Sequence, residues 1–235
     1  MLHHVLRVVR STRPLTKRQT QHWLSTTTTT TTTTPEEEEK LKSEKKIDAL
    51  LGKAWEANLS GNHSQAETAF RSAVVLQTET FGSKDAETLL SKNNLGAALL
   101  NQGRLSEAEP LLRETLQDRI LVLGDDHEQT LTSANNLGQL LKQQGNWAEA
   151  EPILKRAFVG SLTSLGPTHE DVVDSAQNFG EVLAMNKKWE ECESMFKQLL
   201  AQCERAYGPR HETVHMLVHN LDVLAQVRAA QEKEQ

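Results

Sequence analysis

From Ile47 onward the apolar residues recur at steps of three and four rather than two, the period of amphipathic helices. One stretch shows the rule. Leu89, Leu95, Ala98 and Leu99 mark one face of a first helix, and Gly103 interrupts the pattern. Leu105, Ala108, Leu112, Leu116 and Leu123 then mark one face of a second helix. The same hairpin recurs every 42 residues. Gly96, Gly138, Gly180 and Asp222 keep that spacing, as do Asn94, Asn136, Asn178 and Asn220. So do Ala108, Ala150 and Cys192, and the turn glycines Gly82, Gly124, Gly166 and Gly208. Ala54, Gly61, Ala66 and Phe70 fit a more divergent first copy. One period shared at so many positions is the mark of stacked repeats. The pattern predicts four helix pairs and a final helix over residues 47–231. Gly96 and Ala108 are expected to let two backbones approach closely. Gly124 and Gly166 are expected to supply the left-handed residue that ends each second helix.

Composition changes abruptly before Ile47. Residues 1–35 hold five basic side chains and no acidic one; residues 36–46 hold five Glu and four Lys. Residues 47–235 hold 17 basic and 27 acidic side chains, so a formal net charge of −6 conceals a basic head on an acidic body. Leu2, Val5, Leu6 and Val9 fall at helical spacing among Arg7, Arg10 and Arg13. Residues 1–24 therefore read as a mitochondrial presequence, which predicts a location in the matrix. The other readings are a chloroplast address, a basic tail without fixed structure, or a helix docking on an anionic surface; without an address the location is cytoplasmic. Nine consecutive threonines, Thr26 to Thr34, cannot pattern a core. Residues 25–46 are read as a linker, or the frayed lead-in to the first helix.

The stretch Asn94-Leu95-Gly96 followed by G-x-[LW]-x-E-A-E, seen at 103–109 and again at 145–151, resembles a tetratricopeptide repeat. The 42-residue period and the turn L-G-x-x-H are similar to the kinesin-light-chain type. The resemblance implies an all-α fold, a right-handed α-solenoid of antiparallel helix pairs with a C-terminal capping helix. It also implies a non-enzymatic scaffold that binds a partner peptide or helix in a groove lined by the first helix of each pair. A cytosolic cargo or signalling adaptor similar to kinesin light chain is the alternative. Glu128, Glu170 and Glu212 stand where the family usually places a proline after the turn histidine. Asp222 in place of the glycine fits a terminal cap. No heptad coiled coil precedes the repeats here, which weighs against a motor-subunit role.

Counting from the repeat glycine, the groove candidates are Asn93 and Asn94 in the second copy. They are Asn135, Asn136, Gln139 and Lys142 in the third, Gln177, Asn178 and Glu181 in the fourth, and His219 and Asn220 in the last. Side-chain amides carry both donors and acceptors and suit an extended peptide backbone. The second asparagine of each pair could equally bond between adjacent repeats. The family's chaperone-tail binders use a Lys and, four residues on, an Asn; Leu51/Trp55, Asn93/Ala97, Asn135/Gln139 and Gln177/Glu181 do not match. Grooves that take acidic cargo peptides need basic lining, whereas Lys142 here is opposed by Asp174 and Glu181. A neutral or mildly basic partner segment is expected.

Other chemistry finds little support. His211-Glu212-Thr213-Val214-His215 matches the zinc-protease pattern H-E-x-x-H, with His219 one turn further on, and a zinc hydrolase is the remote alternative. The repeat register already places His127-Glu128 and His169-Glu170 at the same turn, so the pair His211-Glu212 reads as structural. Cys192 and Cys203 lie 11 residues apart in one predicted helix, about 16 Å and too far for a disulfide. Trp147 and Trp189 begin equivalent helices and are read as packing residues. No metal or cofactor site is assigned. No window of about 18 apolar residues predicts a membrane span, and the acidic body argues against nucleic acid.

Overall fold

The computed structural model describes residues 34–233. Among these residues the chain forms nine helices: α1 (Pro35–Leu59), α2 (His63–Phe81), α3 (Ala86–Asn101), α4 (Leu105–Leu123), α5 (Glu128–Gln143), α6 (Trp147–Leu165), α7 (Glu170–Met185), α8 (Trp189–Tyr207) and α9 (Glu212–Lys233). The odd-numbered helices are the first, or A, members of each pair and the even-numbered ones the B members. Each helix packs on its chain neighbours, giving an all-α solenoid of antiparallel hairpins. The proposed presequence, residues 1–24, lies outside the described residues, as does the threonine tract up to Thr33. No helix among the described residues is long and apolar enough to cross a membrane.

Of the two readings of the charge block, linker or frayed lead-in to the first helix, the structure has the lead-in, capped rather than frayed: residues 35–46 are the first three turns of α1. The local chemistry explains this. Thr34 caps the helix through a reciprocal capping box with Glu37, Pro35 takes the first position, and three glutamates fill the first turn. Glu36 and Glu38 precede Lys40 and Lys42 by four residues, a spacing that supports an exposed helix. These turns add little core, since the first buried side chain is Ile47.

The pairing of A with B depends on missing side chains. A Cβ on Gly96 would stand 2.5 Å from Leu112, one on Gly138 2.4 Å from Leu154, and one on Gly180 2.4 Å from Phe196. Each of these three B helices thus drops a large apolar side chain onto bare backbone of its A partner. In the first pair Ala54 and Phe70 hold these positions, and both are buried. Asp222 holds it in α9, where it is exposed, and among the described residues no B helix follows to cover it.

The turns are built to the same rule. Gly82, Gly124, Gly166 and Gly208 end the B helices with φ of 81 to 95° and ψ of 159 to 166°. This is not the expected left-handed helical geometry but the extended region at positive φ, which glycine alone enters readily. The chain leaves the helix extended and starts the next A helix within three residues. There His127, His169 and His211 act as helix caps, each Nδ1 accepting the backbone N–H two residues on at 3.2 Å. Asp85 does the same for α3.

The glycine contacts and the histidine caps can each be tested by urea unfolding. Gly138→Ala will lower stability by about 1–3 kcal/mol despite alanine's better helix propensity, because Leu154 must move. Gly52→Ala, where nothing lies within 4 Å of the added Cβ, will raise it by up to about 1 kcal/mol. His127→Ala will cost about 1 kcal/mol by the same measurement, and His127→Asp, which keeps an acceptor, will restore most of it.

Candidate interaction surface

Successive A helices approach one another directly, α3 with α5, α5 with α7 and α7 with α9, and the B helices make no comparable approach. The stack therefore bends with the A helices inside. B helices meet instead through long charged side chains on the outer face. Arg71 pairs with Glu107, Arg113 with Glu149 and Lys155 with Glu191, each pair joining adjacent repeats. Hydrogen bonds from Arg113 to Glu149, and from Gln144 and Arg113 to Glu109, hold both carboxylates below their usual range. These pairs are exposed, and each contributes little to stability.

The inner face carries an amide ladder. Asn136 Nδ2 donates to Asn93 Oδ1 at 3.2 Å, and Asn178 Nδ2 donates to Asn135 Oδ1 at 3.1 Å. The second asparagine of each pair thus reaches back one repeat. Asn93 is 3% exposed, so it supports the inner wall rather than lining it. Its oxygen also accepts from Ser133 Oγ, which in turn accepts from Arg119 at 2.8 Å. Arg119 comes from helix B and is 1% exposed, with Nε and Nη2 unpartnered among the described residues. Burial depresses its pKa to about 10. Sequence reasoning missed this arginine because its counterparts Gln77, Ser161 and Cys203 share only burial, not type.

The remaining candidates lie at the surface of the same wall. Asn94, Asn135, Asn136, Gln139, Gln177, Asn178 and Asn220 are half-exposed, while Glu181 and His219 are exposed. Lys142 is not a free cation, since it donates to Asn178 Oδ1 at 2.9 Å and pairs with Glu181 at 2.6 Å. The ladder ends at both extremes. At the C-terminal end Gln177 turns its amide to the Met216 sulfur, and Asn220 Nδ2 is buried without an acceptor among the described residues. At the N-terminal end Leu51 and Gly52 stand in the ladder register, so Asn94 has no amide to reach. The 42-residue register shows the N-terminal break, whereas Gln177 keeps an amide in register and its turn to Met216 is a matter of tertiary structure.

Asp174 stands one turn before Asn178, half-buried, with no hydrogen bond or ion pair among the described residues. Burial raises its pKa to about 6, with Glu170 and Asp171 adding to the shift.

The protease-like motif resolves into a turn. His211 Nδ1 is occupied as the cap of α9, and its ring stacks on Tyr207 at 4.0 Å. Tyr207 donates to the Thr168 carbonyl at 2.7 Å, tying this turn to the previous one. His215 is exposed. Cys192 donates to the Gly180 carbonyl at 3.3 Å, and burial pushes its thiol up to about 12. Cys203 is also a buried free thiol. Trp147 and Trp189 pack half-buried against the core at the starts of their helices.

The tetratricopeptide repeat family matches at residues 57–119 and 85–158. Residues 57–158 thus carry tetratricopeptide repeats. The fold of the chain is that of the nearly identical TPR-like repeats of a Podosopora anserina protein described as a kinesin light chain, at TM-score 0.70 and 18% identity. That match covers 83% of this chain and 90% of the other. A point-substituted form of the same repeats gives TM-score 0.71 with the same identity and coverage. BtubC (BKLC) from P. vanneervenii is similar at TM-score 0.59 and 16% identity, over 84% of this chain and 85% of the other. Among curated proteins none matches the chain. The tetratricopeptide repeats form an interaction scaffold for protein partners.

Asp174 provides a check on the electrostatics of this face. Its folded pKa, about 6, lies above the ordinary value of 3.8, so the folded state binds the proton more tightly. Its contribution therefore favours folding at low pH and is lost as pH rises through about 6. Asp174→Asn will raise the urea midpoint at pH 7, leave it nearly unchanged at pH 4, and flatten the pH dependence between.

Proposed function

We propose that this protein is a non-enzymatic scaffold that captures a partner peptide or helix along the inner face of its repeats, and that it works in the mitochondrial matrix. The observation that carries the first part is the row of half-exposed amides on α5 and α7, with donors and acceptors left over from the ladder. An extended backbone laid across that row finds partners at a regular spacing. The single lysine of the row is already neutralised by Glu181, which favours a neutral or mildly basic partner over an acidic one. Bond making plays no part in this reading.

The location rests on the basic, acid-free head with its helical apolar spacing. A fluorescent fusion of the full chain is expected to co-localise with mitochondria, and removal of residues 1–24 to leave it in the cytosol. Identical distribution of both fusions overturns the location and leaves a cytosolic adaptor. For the capture itself, Gln139→Trp, placed in the middle of the inner face, is expected to weaken partner binding at least tenfold in fluorescence polarisation. Arg113→Ala on the outer face is expected to leave it within twofold. The reverse order would move the binding surface to the outside.

A further inference from the structure

The inner face is not uniform along its length, and its two ends differ in chemistry. The positions in register with Asn93, Asn94 and Ala97 are Leu51, Gly52 and Trp55 in the first pair. They replace two amides and a small side chain with a leucine, a bare backbone and an indole. All three are half-exposed, and the edge of the Trp55–Phe70 contact, at 6.1 Å and 85°, holds the indole in place. Nothing lies within 4 Å of where a Cβ on Gly52 would stand. The helices agree with the side chains: α1 does not approach α3 in the way α3 approaches α5. No amide bridge joins the first two A helices, and on α3 Leu90 and Ala97, seven residues apart and so on one face, are both half-exposed. The result is an apolar notch beside the amide row.

Three repeats on, the position in register with Asp48, Leu90 and Thr132 is Asp174. Its carboxylate has no partner among the described residues, and Glu170 and Asp171 deepen the negative potential there. The cation that could have answered it, Lys142, is held by Asn178 and Glu181. The acidic end is thus short of positive charge, just as the other end is short of apolar cover.

We propose that the inner face takes one extended segment that seats a bulky apolar side chain in the α1–α3 notch and a lysine or arginine against Asp174. This rests on the capture reading above and gives it a partner class. The notch and Asp174 lie between two and three repeats apart. At about 8–10 Å per packed helix that is roughly 20–25 Å. An extended chain advances about 3.3 Å per residue, so the two side chains stand about 6–8 residues apart. The amides between them bond the backbone and leave the intervening sequence free.

The test uses the full chain and labelled ten-residue peptides in fluorescence polarisation. The reference peptide carries a tryptophan and a lysine about seven residues apart on a neutral background. Others replace Trp by Ser, replace Lys by Glu, or shorten the spacing to three. The reference is expected to bind at least tenfold tighter than each of these. Gly52→Asn fills the notch and is expected to erase the tryptophan advantage while keeping the lysine one. Asp174→Asn is expected to do the converse, and to abolish a tightening between pH 5 and 7 that the unaltered protein shows. Circular dichroism confirms that both variants fold. Equal or tighter binding of the Glu peptide, or indifference of the reference to both substitutions, overturns the proposal. If peptides bind without these preferences but Gln139→Trp still blocks them, capture on the inner face stands and this partner class falls. If no peptide binds, or Gln139→Trp blocks none, both fall.

Discussion

The close approach of a B helix to the glycine of its A partner, made in three of the four pairs, is the contact on which the rest of this solenoid depends. Leu112, Leu154 and Phe196 each occupy the space that a Cβ on Gly96, Gly138 or Gly180 would need. Because the A backbone is bare there, the hairpin closes tightly. The next A helix can then reach its predecessor across the inner face, close enough for one asparagine to bond the one before it. A larger residue at the glycine would widen the hairpin and pull the amide ladder apart. Packing and the chemistry of the inner wall are therefore one constraint, set by absent atoms. Asp222 shows the converse, since a charged side chain is tolerated in α9 where nothing packs on it.

The ladder also divides the inner face into a supported middle and two altered ends. Where asparagines pair, the A helices are held at a fixed separation and present half-exposed amides. Where Leu51 and Gly52 replace them, the first two A helices approach less closely than α3 and α5 do. At the other end Gln177 turns to Met216 and the row stops. Electrostatics follow the same division: the lysine within the row is paired, while burial leaves Asp174 just beyond it with a raised pKa of about 6. A repeat that is regular in packing is thus irregular along its inner face.

Arg119 is the chief polar intrusion into the core. It is a cation at 1% exposure with two of its nitrogens unpartnered among the described residues. Its other nitrogen holds the Gln129 carbonyl and Ser133, and through Ser133 the Asn93 anchor of the ladder. Burying a cation with donors left unpartnered costs stability. Here Arg119 links helix B of one repeat to the inner wall of the next.

The 42-residue spacing of glycine, asparagine and alanine by itself determined the helical hairpins, their number and the repeat family, because periodicity fixes which face of each helix is buried. It also determined that His211-Glu212 is a turn element, since two copies of the pair recur at the same register. It left residues 35–46 between a linker and the lead-in to the first helix, and a capping box with well-spaced Glu and Lys makes them helix. The tertiary structure alone decided what the asparagines do. Each sits at a helical position that could face a ligand or a neighbouring repeat, and only the distance between adjacent A helices chooses. It alone showed Lys142 paired with Glu181, Asn93 beneath the surface, and the gap at Gly52. Periodicity is a property of one helix and is written in the chain. Which polar groups remain free depends on how close two helices come, and that distance is set by packing across residues some forty positions apart.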